Sequence, residues 1–331
     1  MAITLKDVAS VAGVSTATVS RALAGSESVA PQTANHVRTI ADELGYRFDN
    51  VARALRKKRS NLVGMVAPDY NFPYAQDLLF ALNQELFHDE LVLASVASFG
   101  SVDHELAQVE RLLGQRIDAL VFIPAHPVES TAAVDITRQE DVPVIQLFRR
   151  VQHAQTIDVL LDYAFGVDFA LRSIRPGAVR SITYIDDDLA NSDQGKRTAW
   201  RHLTKNFPQD KFSTVTVFRS GPTQQASFEI ALSKLNCAPL PDLIIVSSSE
   251  ALPFVVDQIE QVSPVEMRPL VLCLDAARSD VESERVSVAS LEFPMSATAR
   301  AVMERVYSAL NNEDIRRETV RIPPFLNLSQ L

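Results

Sequence analysis

Cysteine is scarce in this chain: there are two among 331 residues, Cys237 and Cys273, each near leucine. Two such residues do not make a disulfide framework and read instead as buried, reduced thiols. Long apolar runs are also missing. No stretch approaches the length of a membrane span, and Lys6, Asp7 and Arg21 interrupt the segment where a signal peptide would need apolar residues. The chain is therefore expected in the cytoplasm, without a membrane partner. The six histidines show no metal-ligand spacing. Neither a G-x-G-x-x-G or P-loop motif after a strand nor a G-x-S-x-G elbow occurs, so no metal, cofactor or catalytic residue is expected and the chain reads as a non-enzyme. The closest approach to a nucleophile is "SSSE" at 247–250, better explained as a polar turn capping the next helix. Internal repeats and low-complexity segments are absent.

What is present is a soluble-protein composition with an uneven charge. The chain is 47% hydrophobic, ample for the two or three domains its length suggests. Its formal charge is −9, yet residues 1–60 hold nine Lys/Arg against five Asp/Glu, which is +4 and leaves −13 for the remainder. A basic head precedes an acidic body.

The head opens with "TLKDVASVAGVSTATVSRAL". Leu5, Val8, Ala9 and Ala12 recur at helical spacing, and Gly13 suits the left-handed residue that ends a helix. Ser15 is a good N-cap for a second helix, with Val14 and Val19 forming a hydrophobic staple. The exposed face of that second helix then carries Thr16, Ala17, Ser20 and Arg21. A third helix follows, with Pro31 in its first turn, Val37, Ile40, Ala41 and Leu44 on one stripe, and Gly45 after its last turn. Three helices with so tight a turn between the first two describe a helix-turn-helix, whose second helix enters the DNA major groove. In "YRFDNVARALRKKRS", residues 46–60, Val51, Ala52 and Leu55 share a face too short to be stable alone, and Arg53, Arg56, Lys57, Lys58 and Arg59 surround it. Such a segment folds on DNA, and its leucine can wedge between base pairs from the minor groove.

Beyond residue 60 apolar runs alternate with amphipathic stretches. "NLVGMVAP", "LVLASVAS", "DALVFIP", "VPVIQLF", "RSITYID", "STVTVF", "DLIIVSS" and "LVLCLD" read as strands; Leu106–Leu113 and Ala299–Leu310 mark two of the helices. The fold class is α/β, with parallel sheets covered by helices, and two sheets fit better than one. Ligands then bind at the carboxyl ends of strands. Tyr70, Asn71, Phe72 and Tyr74 follow the first of these strands, Arg149 the fourth, Asp187 to Gln194 a strand of the second half, Ser248 "DLIIV" and Asp275 "LVLCL".

The motifs "TLKDVASVAGVSTATVSRAL", "ELGYR" with "VARAL", "VGMVAPDYNFPYAQDL", "RIDALVFIP", "VPVIQLFRR" and "VLCLDAA" resemble the lactose/galactose repressor (LacI/GalR) family of bacterial transcription regulators, along essentially the whole chain. The resemblance implies a helix-turn-helix head at 1–47 and a hinge helix at 48–60. It also implies a periplasmic-binding-protein-like core at 61–331, with one subdomain at about 61–158 and 293–318 and the other at about 159–292 and 319–331. It implies a homodimer on a near-palindromic double-stranded operator, repressing transcription under control of a small-molecule effector, a sugar or sugar phosphate, in the cleft between subdomains. By matching positions Thr16, Ala17 and Arg21 read bases and Ser15 and Thr18 hold phosphates, while Thr4, Ser20 and Arg56 join the DNA-facing set. Leu55 is the wedge, and Ala52 lets paired hinge helices pack closely. The chain ends near its last predicted strand, so a tetramerising tail of the family kind is not expected.

Departures concentrate in the cleft. Gln194 stands where an arginine is often found, Lys196 where some members have a second basic residue, Ser248-Ser249 where an Asn-Asp pair is usual, and Phe148 where an aspartate precedes the arginine. The head departs only at Ala30, which replaces a serine cap, and at Phe48-Asp49, which replaces Pro-Asn. The effector set is Tyr70, Phe72, Tyr74, Arg149, Gln194, Lys196, Ser248 and Asp275. Arg149 and Lys196 converging on one ligand would favour an anion. A neutral sugar would instead leave a cation needing a partner such as Asp187 or Asp275. The alternative is a solute-binding or enzymatic α/β domain fused to a DNA-binding head.

Overall fold

The computed structural model describes residues 3–23, 26, 28–46, 59–69, 74–87, 91–151, 156–174, 179–186, 194–206, 208, 211–216, 240–249, 251–262, 270–275, 286–311 and 318–330. They fall into two compact units, residues 1–60 and 61–331.

The first unit holds helices α1 (Leu5–Ala12), α2 (Thr16–Leu23) and α3 (Pro31–Glu43). Helix α1 starts at a Thr4–Asp7 box, in which the Thr4 backbone N–H and hydroxyl both donate to Asp7 Oδ2 at 2.8 and 2.7 Å. It ends at Gly13, in the left-handed conformation with φ 67°. A Cβ there would meet nothing, so backbone conformation alone favours glycine. Ser15 Oγ then accepts the Thr18 N–H at 3.1 Å, which satisfies one of the orphan donors that open α2. Val8, Ala9, Ala12, Val19, Ala22, Ala34, Val37, Ile40 and Ala41 are buried together, with Val14 packed against them. Ala30 offers α3 no side-chain cap, and Pro31 at its first position removes one N–H that would need one.

The second unit is built on two six-stranded sheets. The first contains β1 (Leu62–Ala67), β2 (Val92–Ala97), β3 (Ala119–Phe122), β4 (Val144–Leu147), β5 (Ile157–Leu161) and β11 (Thr319–Ile322), in the order β11-β5-β4-β3-β1-β2 and parallel throughout. In the second, β6 (Ile182–Asp186), β7 (Phe212–Thr216), β8 (Leu243–Val246), β9 (Leu270–Cys273), β10 (Ser287–Glu292) and β12 (Phe325–Gln330) run β12-β10-β9-β8-β6-β7. Only the β10/β12 pair is antiparallel. The helices are α4 (Ala75–Phe87), α5 (Val102–Gly114), α6 (Thr131–Gln139), α7 (Tyr163–Ile174), α8 (Gln194–Asn206), α9 (Leu252–Val262) and α10 (Met295–Leu310). Strands buried on both faces, such as Val63–Ala67 and Leu243–Val246, explain why the sequence shows continuous apolar runs rather than alternation.

All eight expected strands form, and four more join them. β5 and β11 lie in the first sheet, so the chain leaves that sheet after Leu161 and again after Ile322, a few residues past the changes expected at about 158 and 318. Ladder hydrogen bonds to β4 and between β5 and β11 decide this, and such long-range pairing is invisible in local patterning. Among the described residues no helix is long and apolar enough to cross a membrane, and no group of His, Cys, Asp and Glu could hold a metal ion. Cys273 is fully buried and its thiol is pushed up to about 12, by burial first and by the charge of Asp275 second. Cys237 lies outside the described residues.

Candidate functional site

In the head, the sealed and open faces of α2 separate cleanly. Val19 and Ala22 are buried, whereas Thr16, Ala17 and Arg21 are exposed beside Ser15 at the start of the helix. Thr18 and Ser20 are half-buried, and the Thr18 hydroxyl lies 2.9 Å from that of Ser15. Thr4 is exposed at the start of α1, although its polar groups are engaged by Asp7. That contact holds the Asp7 carboxyl below its usual range, the Thr4 hydroxyl first and the Thr4 N–H second. Ala52, Leu55 and Arg56 lie outside the described residues.

In the second unit, side chains from both sheets meet at the carboxyl ends of strands. The Lys196 ammonium, on the first turn of α8, lies 2.8 Å from Asp275 Oδ2 after β9, with side-chain exposures of 9% and 4%. Tyr163, at the start of α7, donates its hydroxyl to Asp275 Oδ1 at 3.4 Å and places its ring 5.7 Å from the ammonium. Gly195 makes this approach possible: a Cβ there would sit 2.6 Å from the Tyr163 ring and 3.1 Å from the Leu161 carbonyl. Asp275 thus pairs with Lys196 rather than Arg149. A buried pair of this kind is held by its geometry and extra hydrogen bonds, since desolvation opposes it.

Aromatic rings connect this pair to the first sheet. Phe293, after β10, meets Tyr163 edge-on at 4.8 Å and Tyr74 at 6.2 Å. Tyr74, before α4, is buried with φ 71°, and its hydroxyl donates to the Leu291 carbonyl at 3.0 Å. A bulky residue in the left-handed region persists only where surroundings hold it, and here a hydrogen bond between the two halves does so. Gln194 makes a second such bond, donating to the Arg150 carbonyl at 3.0 Å.

Arg149 and Arg150 sit on the turn after β4, which a buried network shapes. Gln146 accepts the Val151 N–H at 2.6 Å and donates to Thr156 at 2.5 Å, Thr156 donates to Asp158 at 3.0 Å, and Asp158 holds Arg150 at 3.5 Å. Ser248 is buried at the end of β8. The structure therefore links Tyr74 to Lys196 and Asp275 through Phe293 and Tyr163, ties Gln194 to the Arg150 carbonyl, and places Arg149 and Ser248 at strand ends. Tyr70, Asn71, Phe72 and Asp187 lie outside the described residues. Sequence reasoning missed Tyr163, Phe293 and Arg150. Tyr163 and Phe293 follow β5 and β10, strands that were not expected, and reading "IDVLLD" as a strand would have pointed to Tyr163.

Residues 4–49 match the family described as bacterial regulatory proteins, lacI family. The chain is 23% identical to catabolite control protein A of Staphylococcus aureus (strain MRSA252) over 325 residues, which is 98% of this chain and 97% of that protein. Its fold is similar to that of the Lac repressor dimer bound to operator and the anti-inducer ONPF, with TM-score 0.78 and 20% identity over 99% of this chain and 98% of that one. The transcriptional regulator CelR in complex with cellobiose is also similar, with TM-score 0.62 and 19% identity over 98% of each chain. Residues 4–49 thus carry a lacI-type head, and the rest of the chain shares the fold of the Lac repressor core, two mostly parallel sheets covered by helices.

Proposed function

We propose that the protein is a sequence-specific transcriptional repressor acting as a homodimer on a near-palindromic operator in the cytoplasm, its affinity set by a small uncharged sugar in the cleft. The observation that carries the DNA reading is the open Thr16–Ala17–Arg21 face of a helix whose other face is sealed in the head core. In this reading Thr16, Ala17 and Arg21 meet base edges and Ser15 and Thr18 hold phosphates, with Thr4, Ser20 and Arg56 beside them. Leu55 wedges the duplex and Ala52 allows hinge pairing. Titrating labelled operator at rising salt tests it, because phosphate neutralisation by Lys and Arg releases counterions and makes binding fall steeply. A salt-independent complex would contradict the reading. Leu55→Ala should abolish DNA bending in a permuted-site gel assay while dimerisation persists.

The choice of an uncharged ligand rests on Lys196. With Asp275 at 2.8 Å the ammonium is already neutralised, which is the arrangement a neutral sugar requires and an anion does not. The rings of Tyr74, Tyr163 and Phe293 supply apolar faces, and Gln194, Ser248 and Arg149 supply the few directed polar groups such a site needs. CelR, in complex with cellobiose, offers a neutral-sugar parallel for this reading. A thermal-shift screen of neutral and phosphorylated sugars tests it, since a ligand bound only to the native state raises the melting temperature. Stabilisation by phosphorylated sugars alone would reverse the choice.

A further inference from the structure

No residue that follows β3 entered the expected effector set, yet β3 lies between β1 and β4 in the first sheet and runs parallel to both. The turns after β1 and β4 carry the two groups that bond to the other half, Tyr74 and the Arg150 carbonyl. The turn after β3 therefore emerges between them, at the same edge of the sheet. It contains His126.

That histidine is held in one ring orientation. Its Nδ1 accepts the backbone N–H groups of Val128 at 3.3 Å and Glu129 at 3.1 Å, so Nδ1 carries no proton and the neutral ring bears its hydrogen on Nε2. The two nitrogens lie on different sides of the ring, so turning Nδ1 into its own loop turns Nε2–H away from it. His126 is half-exposed, and among the described residues its Nε2 has no partner.

The loop itself rests on an unusual support. Glu105, on the first turn of α5, is fully buried, and its Oε2 accepts the Ala125 N–H at 2.6 Å. At the other end of the loop Ser130 Oγ accepts the His126 N–H at 3.0 Å. Oε1 of Glu105 has no hydrogen-bond partner, and burial pushes the carboxyl above its ordinary range despite the bond from the Ala125 N–H. An apolar residue would fill this position at less cost, but only an acceptor can tie the N–H of Ala125, the residue before His126, to α5.

We propose that His126 belongs to the effector cleft as a fixed hydrogen-bond donor, its Nε2–H bonding an oxygen of the ligand, and that Glu105 is the positioning residue that sets its loop. The proposal rests on the reading of this cleft as an effector site. A neutral imidazole donor suits a sugar hydroxyl or ring oxygen, and it adds a directed group from the first sheet opposite the Lys196–Asp275 pair of the second.

The test uses the full chain and a panel of cellobiose, D-xylulose, ONPG and fructose 1-phosphate. His126→Phe keeps ring volume without the donor, and His126→Gln returns a donor near the position of Nε2. Calorimetry on whichever panel member stabilises the wild type should show about tenfold weaker binding to His126→Phe, with His126→Gln closer to wild type. Imidazole nitrogen NMR of the ligand-free chain should show the Nε2–H tautomer for His126. In Glu105→Leu, which removes the acceptor, that single-tautomer signature should give way to averaging as affinity falls, a change that a general loss of stability does not produce. Equal affinity for wild type and His126→Phe, or an Nδ1–H tautomer, overturns the role of His126 alone. An intact signature and affinity in Glu105→Leu overturns the role of Glu105. If no panel member stabilises the wild type, the effector reading falls for these ligand classes and the proposal falls with it.

Discussion

The head and the cleft solve the same problem, placing a few polar side chains against a ligand, by opposite means. Every buried residue of the head core lies between Val8 and Ala41, and the face it leaves open, Thr16 to Arg21, is part of the same short stretch. The cleft instead joins Tyr74 to Leu291 and Lys196 to Asp275, partners far apart in the chain. A site built on one helix is made by local periodicity. One built between two sheets exists only once both have formed, and its stability and its chemistry then depend on the same contacts.

The largest expected effect sharpens that last point. Asp275→Asn leaves the Lys196 ammonium buried without its countercharge and should destabilise the second unit by about 3–5 kcal/mol in denaturant unfolding, while a joint replacement of both residues by Met and Leu recovers most of the loss. A small loss in the single variant would mean that the pair is solvated and that the cleft is not bound to its own stability. In the head, function and stability should separate. Arg21→Ala should cost about 1–3 kcal/mol on the cognate operator and relax preference at one base pair, leaving the fold intact because the side chain is exposed. Equal loss on operator and scrambled DNA in anisotropy titrations would make Arg21 a phosphate contact instead.

Smaller effects probe how local the head is. Ser15→Ala removes the acceptor for the Thr18 N–H and should lower protection of the α2 amides by about 1 kcal/mol in hydrogen exchange, with no change in the sheets. Loss of protection in the second unit would break the comparison. The smallest effect is the response of α1 to acid. Asp7 titrates below the ordinary aspartate value of 3.8 because Thr4 donates to it, so its contribution is full above that value and fades as pH falls through the lower folded-state value. Amide exchange in α1 followed down in pH should show the helix start fraying in that window and not above it.

Reading the sequence went furthest where structure is local. Gly13 as a helix end, Ser15 as a cap and Pro31 in a first turn each depend on a few neighbouring residues, and each forms as expected. Strands with uninterrupted apolar runs were equally legible. β5 was not, because Asp158 interrupts it; that carboxylate is tolerated in a buried strand only because Thr156, Gln146 and Arg150 reach it. β10 carries Ser287 and Ser290, and β12 follows two prolines, so neither has a pattern that stands out from its flanks. Missing β5 and β10 also hid Tyr163 and Phe293, the rings that link Lys196 to Tyr74.

The cleft shows the same limit in its charges. Sequence placed Arg149 and Lys196 at strand ends and could count two cations, but charge at a site is a sum over neighbours that only packing supplies. Asp275 at 2.8 Å gives Lys196 its countercharge, and the proposal of an uncharged sugar rests on that pairing. The sequence by itself determined the three-helix head, its open face and the α/β alternation, because caps, turns and periodicity act within a few residues of one another. Only the tertiary structure decided which strands share a sheet, where the chain crosses between sheets and which buried charges neutralise each other, because those outcomes depend on contacts between residues the chain order keeps apart.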